Sequence, residues 1–155
     1  MDDRDAPPVG AAFLLTQLGT AAAAAYAEAV AALDLTPPLT GILRLLRVRP
    51  GVSQKQLAGL LGSAPSRVVT WIDDLERRGL VARSLAPDDR RVNSLTLTAE
   101  GTRTLAQVTR VAREHEERVT AALTATERAQ LTGLLSTLAN AHGLPAGVHP
   151  GYRTA

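Results

Sequence analysis

Apolar residues follow a helical period over most of the chain and switch to alternation over one short stretch. In residues 9–33, Leu14, Leu18, Ala22, Ala25, Ala29 and Leu33 recur at three- and four-residue steps, which predicts one long helix. Alanine supplies most of its apolar face. Such a face lets another helix approach closely but buries little area per residue, so it needs a broad partner surface of the kind a second subunit offers. Asp34-Leu35-Thr36-Pro37-Pro38 interrupts the pattern, because proline donates no backbone hydrogen bond, and Thr36 followed by proline starts a new helix. That second helix, about residues 38–48, buries Leu39, Ile42, Leu43, Leu45 and Leu46. Arg44, Arg47 and Arg49 project from this stretch, and Pro50-Gly51 ends it.

Ser53-Gln54-Lys55-Gln56 has the form of a capping box and opens a short third helix carrying Leu57, Ala58, Leu60 and Leu61, which Gly62 stops. Ser63-Ala64-Pro65-Ser66 opens a fourth with a hydroxyl cap and a proline in the first turn, and Val68, Val69, Ile72 and Leu75 form its buried side up to Gly79. Two short helices joined through a glycine turn read as a helix-turn-helix. The period then changes: residues 80–85 and 92–98 are β-branched and alternating, and Ala86-Pro87-Asp88-Asp89-Arg90-Arg91 between them is turn chemistry. This predicts a hairpin with a charged tip, placed where a wing sits. Thr98 caps a fifth helix with Glu100 in its first turn and a stripe of Leu105, Val108, Ala112, His115, Val119 and Leu123. Thr124-Ala125-Thr126-Glu127 caps a sixth through Leu131, Leu134, Leu135 and Leu138 to about His142.

The predicted fold class is mainly α: a winged helix-turn-helix with a two-stranded β wing, flanked by long N- and C-terminal helices. Four regions follow: an N-terminal helix (1–37), the winged helix-turn-helix (38–101), C-terminal helices (102–142) and an irregular or mobile tail (143–155) with Pro145, Gly147, Pro150 and Gly151.

Composition narrows the chemistry. The 155 residues fit one domain, and with 45% of them hydrophobic the chain can build a core without disulfides or a structural metal. Absence of cysteine excludes thiolate nucleophiles, Cys-ligated zinc, iron–sulfur clusters and thiol redox sensing. No apolar run reaches the ~18 residues of a membrane span, and Met1-Asp2-Asp3-Arg4-Asp5 is acidic where a signal peptide is basic, so a soluble cytoplasmic protein without a membrane partner is expected. The formal net charge is +2, and of the 17 basic residues only Lys55 is lysine. Arginine suits phosphate and base-edge recognition, although a GC-rich genome produces the same bias.

The most specific signature is Asp89-Arg90-Arg91 followed by Leu95-Thr96-Leu97-Thr98-Ala99-Glu100-Gly101, an Asp-x-Arg and then Leu-Thr-x-x-Gly pattern. Leu75-Glu76-Arg77-Arg78-Gly79-Leu80-Val81-Ala82-Arg83 leads into it. In these motifs the chain resembles the MarR family of bacterial transcriptional regulators, over about residues 38–101. The resemblance implies a homodimer, with 1–37 and 102–142 as dimerisation helices and 38–101 as the DNA-binding domain, whose two winged helices bind a pseudo-palindrome in double-stranded DNA with half-sites about one helical turn apart.

Set in a major groove, the fourth helix presents its N-terminal half to base edges and its dipole to phosphates, and Pro65, Ser66, Arg67 and Thr70 are the exposed positions there. Arg67 is the candidate for a bidentate guanine contact, or equally for a phosphate contact alone. Arg90 and Arg91 at the wing tip suit a minor groove, whose negative potential favours arginine; as a charged hairpin the tip would otherwise be a solvated turn. The resemblance makes Asp89 the residue that orients Arg91. Arg83, Arg44 and Arg47 read as phosphate clamps or as surface arginines, and Lys55 and Gln56 are within reach of the DNA backbone.

Two departures stand out. Thr70 occupies a position that is often arginine in the family, and Asp74 one that is commonly basic or neutral. Asp73, Asp74 and Glu76 therefore partly cancel Arg67, Arg77 and Arg78, which predicts modest affinity at physiological salt. Trp71 stands where an aliphatic residue is usual and is assigned to the core rather than to base stacking. The resemblance further implies a pocket for a small aromatic or anionic effector between the dimer helices and the winged helix, and a ligand there shifts the spacing of the two reading heads. Its candidate lining is Phe13, Gln17, Arg44 and Arg47, with His115 as an addition; each also reads as ordinary packing or surface.

Two other classes compete. An enzyme would need a site, yet His115 stands alone beside Glu114, Glu116 and Glu117, and the sequence holds no phosphate-binding glycine loop and no nucleophile motif. No catalytic residue, metal or cofactor is assigned. A winged helix that binds protein instead of DNA would expose an apolar or acidic wing and fourth helix, whereas arginines stand at this wing.

Overall fold

The computed structural model describes residues 9–85, 93–144, 147–148 and 152. Six helices and three strands lie among them: α1 (Ala11–Ala31), α2 (Pro37–Val48), β1 (Val52–Ser53), α3 (Gln54–Leu61), α4 (Pro65–Arg77), β2 (Val81–Leu85), β3 (Asn93–Leu97), α5 (Ala99–Val119) and α6 (Ala125–Ala141). The chain is mainly α with one small antiparallel sheet, as its periodicity predicts.

Local chemistry sets most of the boundaries. Ser53 and Gln56 close the capping box of α3, with the Gln56 amide donating to Ser53 Oγ at 3.2 Å and Gln56 Oε1 accepting from the Ser53 amide at 2.8 Å. Gly62 ends α3 in the left-handed conformation, φ 62°, which glycine adopts without a Cβ penalty. Thr124 and Glu127 form a second box at the start of α6. Its hydrogen bonds to the backbone and hydroxyl of Thr124 hold the Glu127 carboxyl below the usual range. At α4 the expectation of a hydroxyl cap fails: Ala64 is the N-cap, and the Arg67 amide closes the first turn on its carbonyl at 3.1 Å. Pro65 at the first helical position has no amide to satisfy, so a cap is less needed there.

The sheet is larger than the predicted two-stranded wing. β2 and β3 pair antiparallel from Val81↔Leu97 to Leu85↔Asn93, and β1 adds on the other side of β3 with Val52↔Leu95 and Ser53↔Ser94. A two-residue strand has no period to read, and only its long-range partner makes it a strand. The core fills the space between α2, α3, α4, the sheet and the first half of α5. Ile42, Leu43, Leu57, Val68, Ile72, Leu75, Leu95 and Val108 are wholly buried. Each such side chain contributes about 1.5–3 kcal/mol by leaving water.

Thr98 joins the sheet to α5. Its amide donates to the Leu80 carbonyl at 3.1 Å, its hydroxyl donates to the Gly79 carbonyl at 2.6 Å, and the same oxygen accepts from the Gly101 amide at 2.9 Å. This brings the α-carbon of Gly101 so close to Leu80 that an added Cβ would overlap the Leu80 carbonyl. The glycine of the Leu-Thr-x-x-Gly pattern thus lets α5 seat against the start of the wing. Gly101→Ala is expected to lower unfolding stability by about 1–3 kcal/mol, read from urea denaturation, because the added Cβ is fixed to its helix and the atom it meets is a backbone carbonyl, so neither can swing away. An unchanged midpoint would show that the helix seats differently.

The flanking helices leave their apolar faces open. Phe13, Leu14, Leu15 and Leu18 of α1 and Leu131, Leu134, Leu135 and Leu138 of α6 are all exposed, and no residue of α6 is buried. The tail departs from its expected irregularity at one point: Tyr152 is only 4% exposed and packs into the core.

Candidate nucleic-acid interface

α4 turns Val68, Ile72 and Leu75 inward and keeps Pro65, Ser66, Val69 and Thr70 outward, with Arg67 half-buried. Among the described residues no side chain caps its N-terminus. The helix end therefore presents its partial positive charge and its first amides outward, beside Arg67. The Thr70 hydroxyl donates back to the Ser66 carbonyl at 3.2 Å, which fixes its rotamer on the exposed face. The Arg67 guanidinium lies over the Trp71 ring, 5.6 Å from its centroid. Trp71 itself is half-buried against the core, on the side the sequence assigned to it.

The acidic residues on α4 do not face Arg67 as free charges. Asp74 is paired with Arg77 and Arg78 on its own helix, and Asp73 and Glu76 both hold Arg83 of β2. Three carboxylates and three guanidinium groups thus balance one another at the C-terminal half of α4. The expected cancellation holds for Arg77 and Arg78, which Asp74 pairs, whereas Asp73 and Glu76 are engaged by Arg83. Arg83, expected as a phosphate clamp or a surface arginine, is neither open nor unpaired: its side chain is 20% exposed, and both ends of its fork are taken by carboxylates. Burial works against its charge, but its bonds to Asp73 and Glu76 outweigh that and raise its pKa above the usual arginine value. It braces the wing against α4 instead of standing open to a phosphate.

Lys55 is exposed on α3, while Gln56 is committed to the capping box through its carbonyl oxygen. β2 and β3 carry the wing out to Leu85 and Asn93; Asp89, Arg90 and Arg91 at its tip lie outside the described residues.

A cavity of about 430 Å³ opens between α1, α2 and α5, lined among others by Tyr26, Thr40, Arg44, His115, Gly147 and Tyr152. Of the predicted effector residues it includes Arg44 and His115. Phe13 and Gln17 are exposed on the first half of α1 and Arg47 on the outer face of α2, and none of the three lines it. The ring of His115 lies 5.5 Å from that of Tyr26, whose hydroxyl is 3.2 Å from Thr40 Oγ1. Tyr26 and Tyr152 were not singled out for the cavity by sequence; these are the only two tyrosines of the chain, and an aromatic in a Gly/Pro-rich tail was the available signal. Among the described residues no group of three His, Asp or Glu side chains is arranged to hold a metal ion, and no helix is long and apolar enough to cross a membrane.

The family model described as MarR family matches residues 35–92. A transcriptional regulatory protein for the hcr operon of Thauera aromatica is 35% identical over 67% of this chain, which spans 63% of that protein's length. The HTH-type transcriptional repressor Rv2887 of Mycobacterium tuberculosis is 32% identical over 86% of this chain and 95% of its own. Its solved complexes with DNA and with salicylic acid superpose with TM-scores of 0.73 and 0.67, at 32% and 31% identity, covering 86% and 87% of this chain and 98% of theirs. The transcriptional repressor CouR, solved on a 23-mer DNA duplex, superposes with a TM-score of 0.74 at 34% identity, covering 84% of this chain and 92% of that one.

Proposed function

This chain belongs to the MarR family of transcriptional regulators, and from that premise we propose that it is a repressor that binds a pseudo-palindromic operator as a homodimer and leaves it when a small aromatic or anionic effector binds. As a member of that family it is a DNA-binding regulator and not an enzyme. The observation that carries the proposal is the exposed N-terminal half of α4, uncapped and bearing Pro65, Ser66, Arg67 and Thr70; in the sequence, Asp89-Arg90-Arg91 falls between β2 and β3. A helix end of this kind offers amides and positive potential to phosphates while its side chains reach base edges. Lys55 on α3 and the wing arginines would add phosphate and minor-groove contacts on either side.

The open apolar faces of α1 and α6 support the homodimer. Contiguous exposed leucines on two long helices are uncommon on a monomer, and a second copy of the same helices covers them with two-fold symmetry. Two winged helices then stand about one DNA turn apart, and the 23-mer bound by CouR is about two turns long, room for two such half-sites. The cavity at Tyr26, Arg44 and His115 supports the effector reading, and Rv2887 was solved with salicylic acid. Binding DNA places its work in the cytoplasm.

Fluorescence anisotropy against duplex DNA from upstream of the protein's own gene, beside scrambled DNA of equal length over a salt series, tests the proposal. Sequence-selective binding that weakens steeply with salt is expected, since each phosphate contact releases counterions. Equal, weak binding to every duplex recovered from a genomic selection would instead favour a winged helix that binds protein.

A further inference from the structure

We propose that Tyr152 is a built-in aromatic occupant of the space between the winged helix and the α1/α5 layer, and that a small aromatic effector competes with it and so loosens Trp71 and Arg67 on the recognition helix. This rests on the effector reading above and adds to it a tethered competitor and a route to the DNA-reading surface.

Four observations carry the inference. The Tyr152 hydroxyl donates to the Pro38 carbonyl at 2.7 Å, joining Tyr152 to the first turn of α2 across 114 residues of sequence. Its ring stands edge-on to Trp71, with centroids 5.6 Å apart and planes at 83°, the arrangement aromatic pairs favour. α2 makes way for it: a Cβ on Gly41 would overlap the Tyr152 hydroxyl, so this helical glycine is the opening through which the phenol reaches Pro38. Finally, Tyr152 is a shared wall. It lines the cavity of about 430 Å³ toward Tyr26 and His115 and also a second of about 440 Å³ toward Leu45, Val48 and Leu60. Gly41, Arg44 and Gly147 are the other residues common to both. Withdrawal of the phenol joins the two spaces and leaves a ring-sized apolar place with a backbone carbonyl acceptor and the Arg44 side chain beside it, suited to a hydroxylated or carboxylated aromatic.

Burial pushes the Tyr152 phenol above the ordinary tyrosine range, so it serves as a neutral donor. From Tyr152 the contacts run to Trp71 and from Trp71, one turn back along α4, to the Arg67 guanidinium. A physical coupling between sites needs an element with two arrangements that both sites bias. Docked and undocked Tyr152 are those two arrangements, and the docked one holds the Trp71 edge and through it the Arg67 rotamer.

Tethering sets the magnitudes. If Tyr152 is docked about nine-tenths of the time, the apparent affinity of a competing ligand is reduced about tenfold, and freeing the site restores it. The test uses full-length protein with Tyr152→Ala and, separately, Gly41→Ala, which blocks docking while placing a better helix former in α2. Trp71 is the only tryptophan, so acrylamide quenching reports its packing directly. Both variants are expected to quench at least about twofold more readily than the parent and to bind operator about three- to tenfold more weakly, while only Tyr152→Ala, which leaves the place open, is expected to bind salicylate about tenfold more tightly by calorimetry. Parent-like Trp71 quenching in both variants overturns the docking, and a salicylate affinity of Tyr152→Ala equal to the parent's overturns the competition. Absence of salicylate binding in all three proteins, with the quenching change present, overturns the effector reading and with it the competitor role.

Discussion

Aspartate at both Leu18 and Leu134 is expected to yield a folded monomer whose operator affinity is lower by about two to four orders of magnitude. The two side chains are 62% and 66% exposed and contribute nothing to the core around Ile42, Leu57 and Ile72, so their replacement leaves the winged helix intact. In the proposed two-fold assembly the joined faces of α1 and α6 take in both. An unpaired carboxylate there costs several kcal/mol of desolvation, and the symmetry counts every charge twice. Loss of the partner then removes the second half-site, and with it the effective concentration that makes one dimer bind far better than two independent heads. Light scattering after size-exclusion chromatography reads the mass, circular dichroism the fold, and anisotropy the affinity. A dimer that survives both substitutions, or a monomer that binds operator like the parent, would sink the proposed assembly.

Removal of arginines from the reading surface is expected to separate positioning from specificity. Arg91→Ala should weaken binding about ten- to a hundredfold on operator and non-operator DNA alike and reduce the salt slope by about one, as loss of a backbone or minor-groove cation does. Arg67→Ala should cost about 1–3 kcal/mol on operator and much less on scrambled DNA, with relaxed base preference at one position of each half-site. The contrast follows from place. Arg67 sits in the first turn of α4 with its guanidinium over Trp71, a packing that limits where the fork can reach, whereas Arg91 falls in the sequence between β2 and β3, where the wing tip is expected. Anisotropy against a panel of single-base operator variants checks both. If Arg67→Ala lowers affinity uniformly across that panel, the residue holds a phosphate and the base is read elsewhere.

Much of this protein was decided by short-range chemistry. The capping boxes at Ser53 and Thr124, the proline start of α2, the left-handed Gly62 and the alternation of β2 and β3 are local, and each is legible in the residues that form it. Order and spacing of those elements were sufficient for the winged helix-turn-helix, and the uncovered leucines of α1 and α6 keep the helical rhythm that singled them out. The tip residues Asp89, Arg90 and Arg91 remain a reading of the sequence.

Other features exist only where distant segments meet. β1 is two residues long and becomes a strand because β3, about forty residues later, supplies its hydrogen-bonding partners. Arg83 reads as a free cation until the turn after α4 folds it back onto Asp73 and Glu76. The cavity needs α1, α2 and α5 together, and so it took Tyr26 while leaving Phe13, Gln17 and Arg47 on the surface. Tyr152 is the farthest case, a tail residue that fills the opening at Gly41 and meets Trp71. Helix caps and turns are settled by neighbours within a few residues, and sequence displays neighbours. Charge pairing, cavity lining and aromatic packing are settled by which surfaces a compact chain brings into contact, and that choice depends on the whole packing at once.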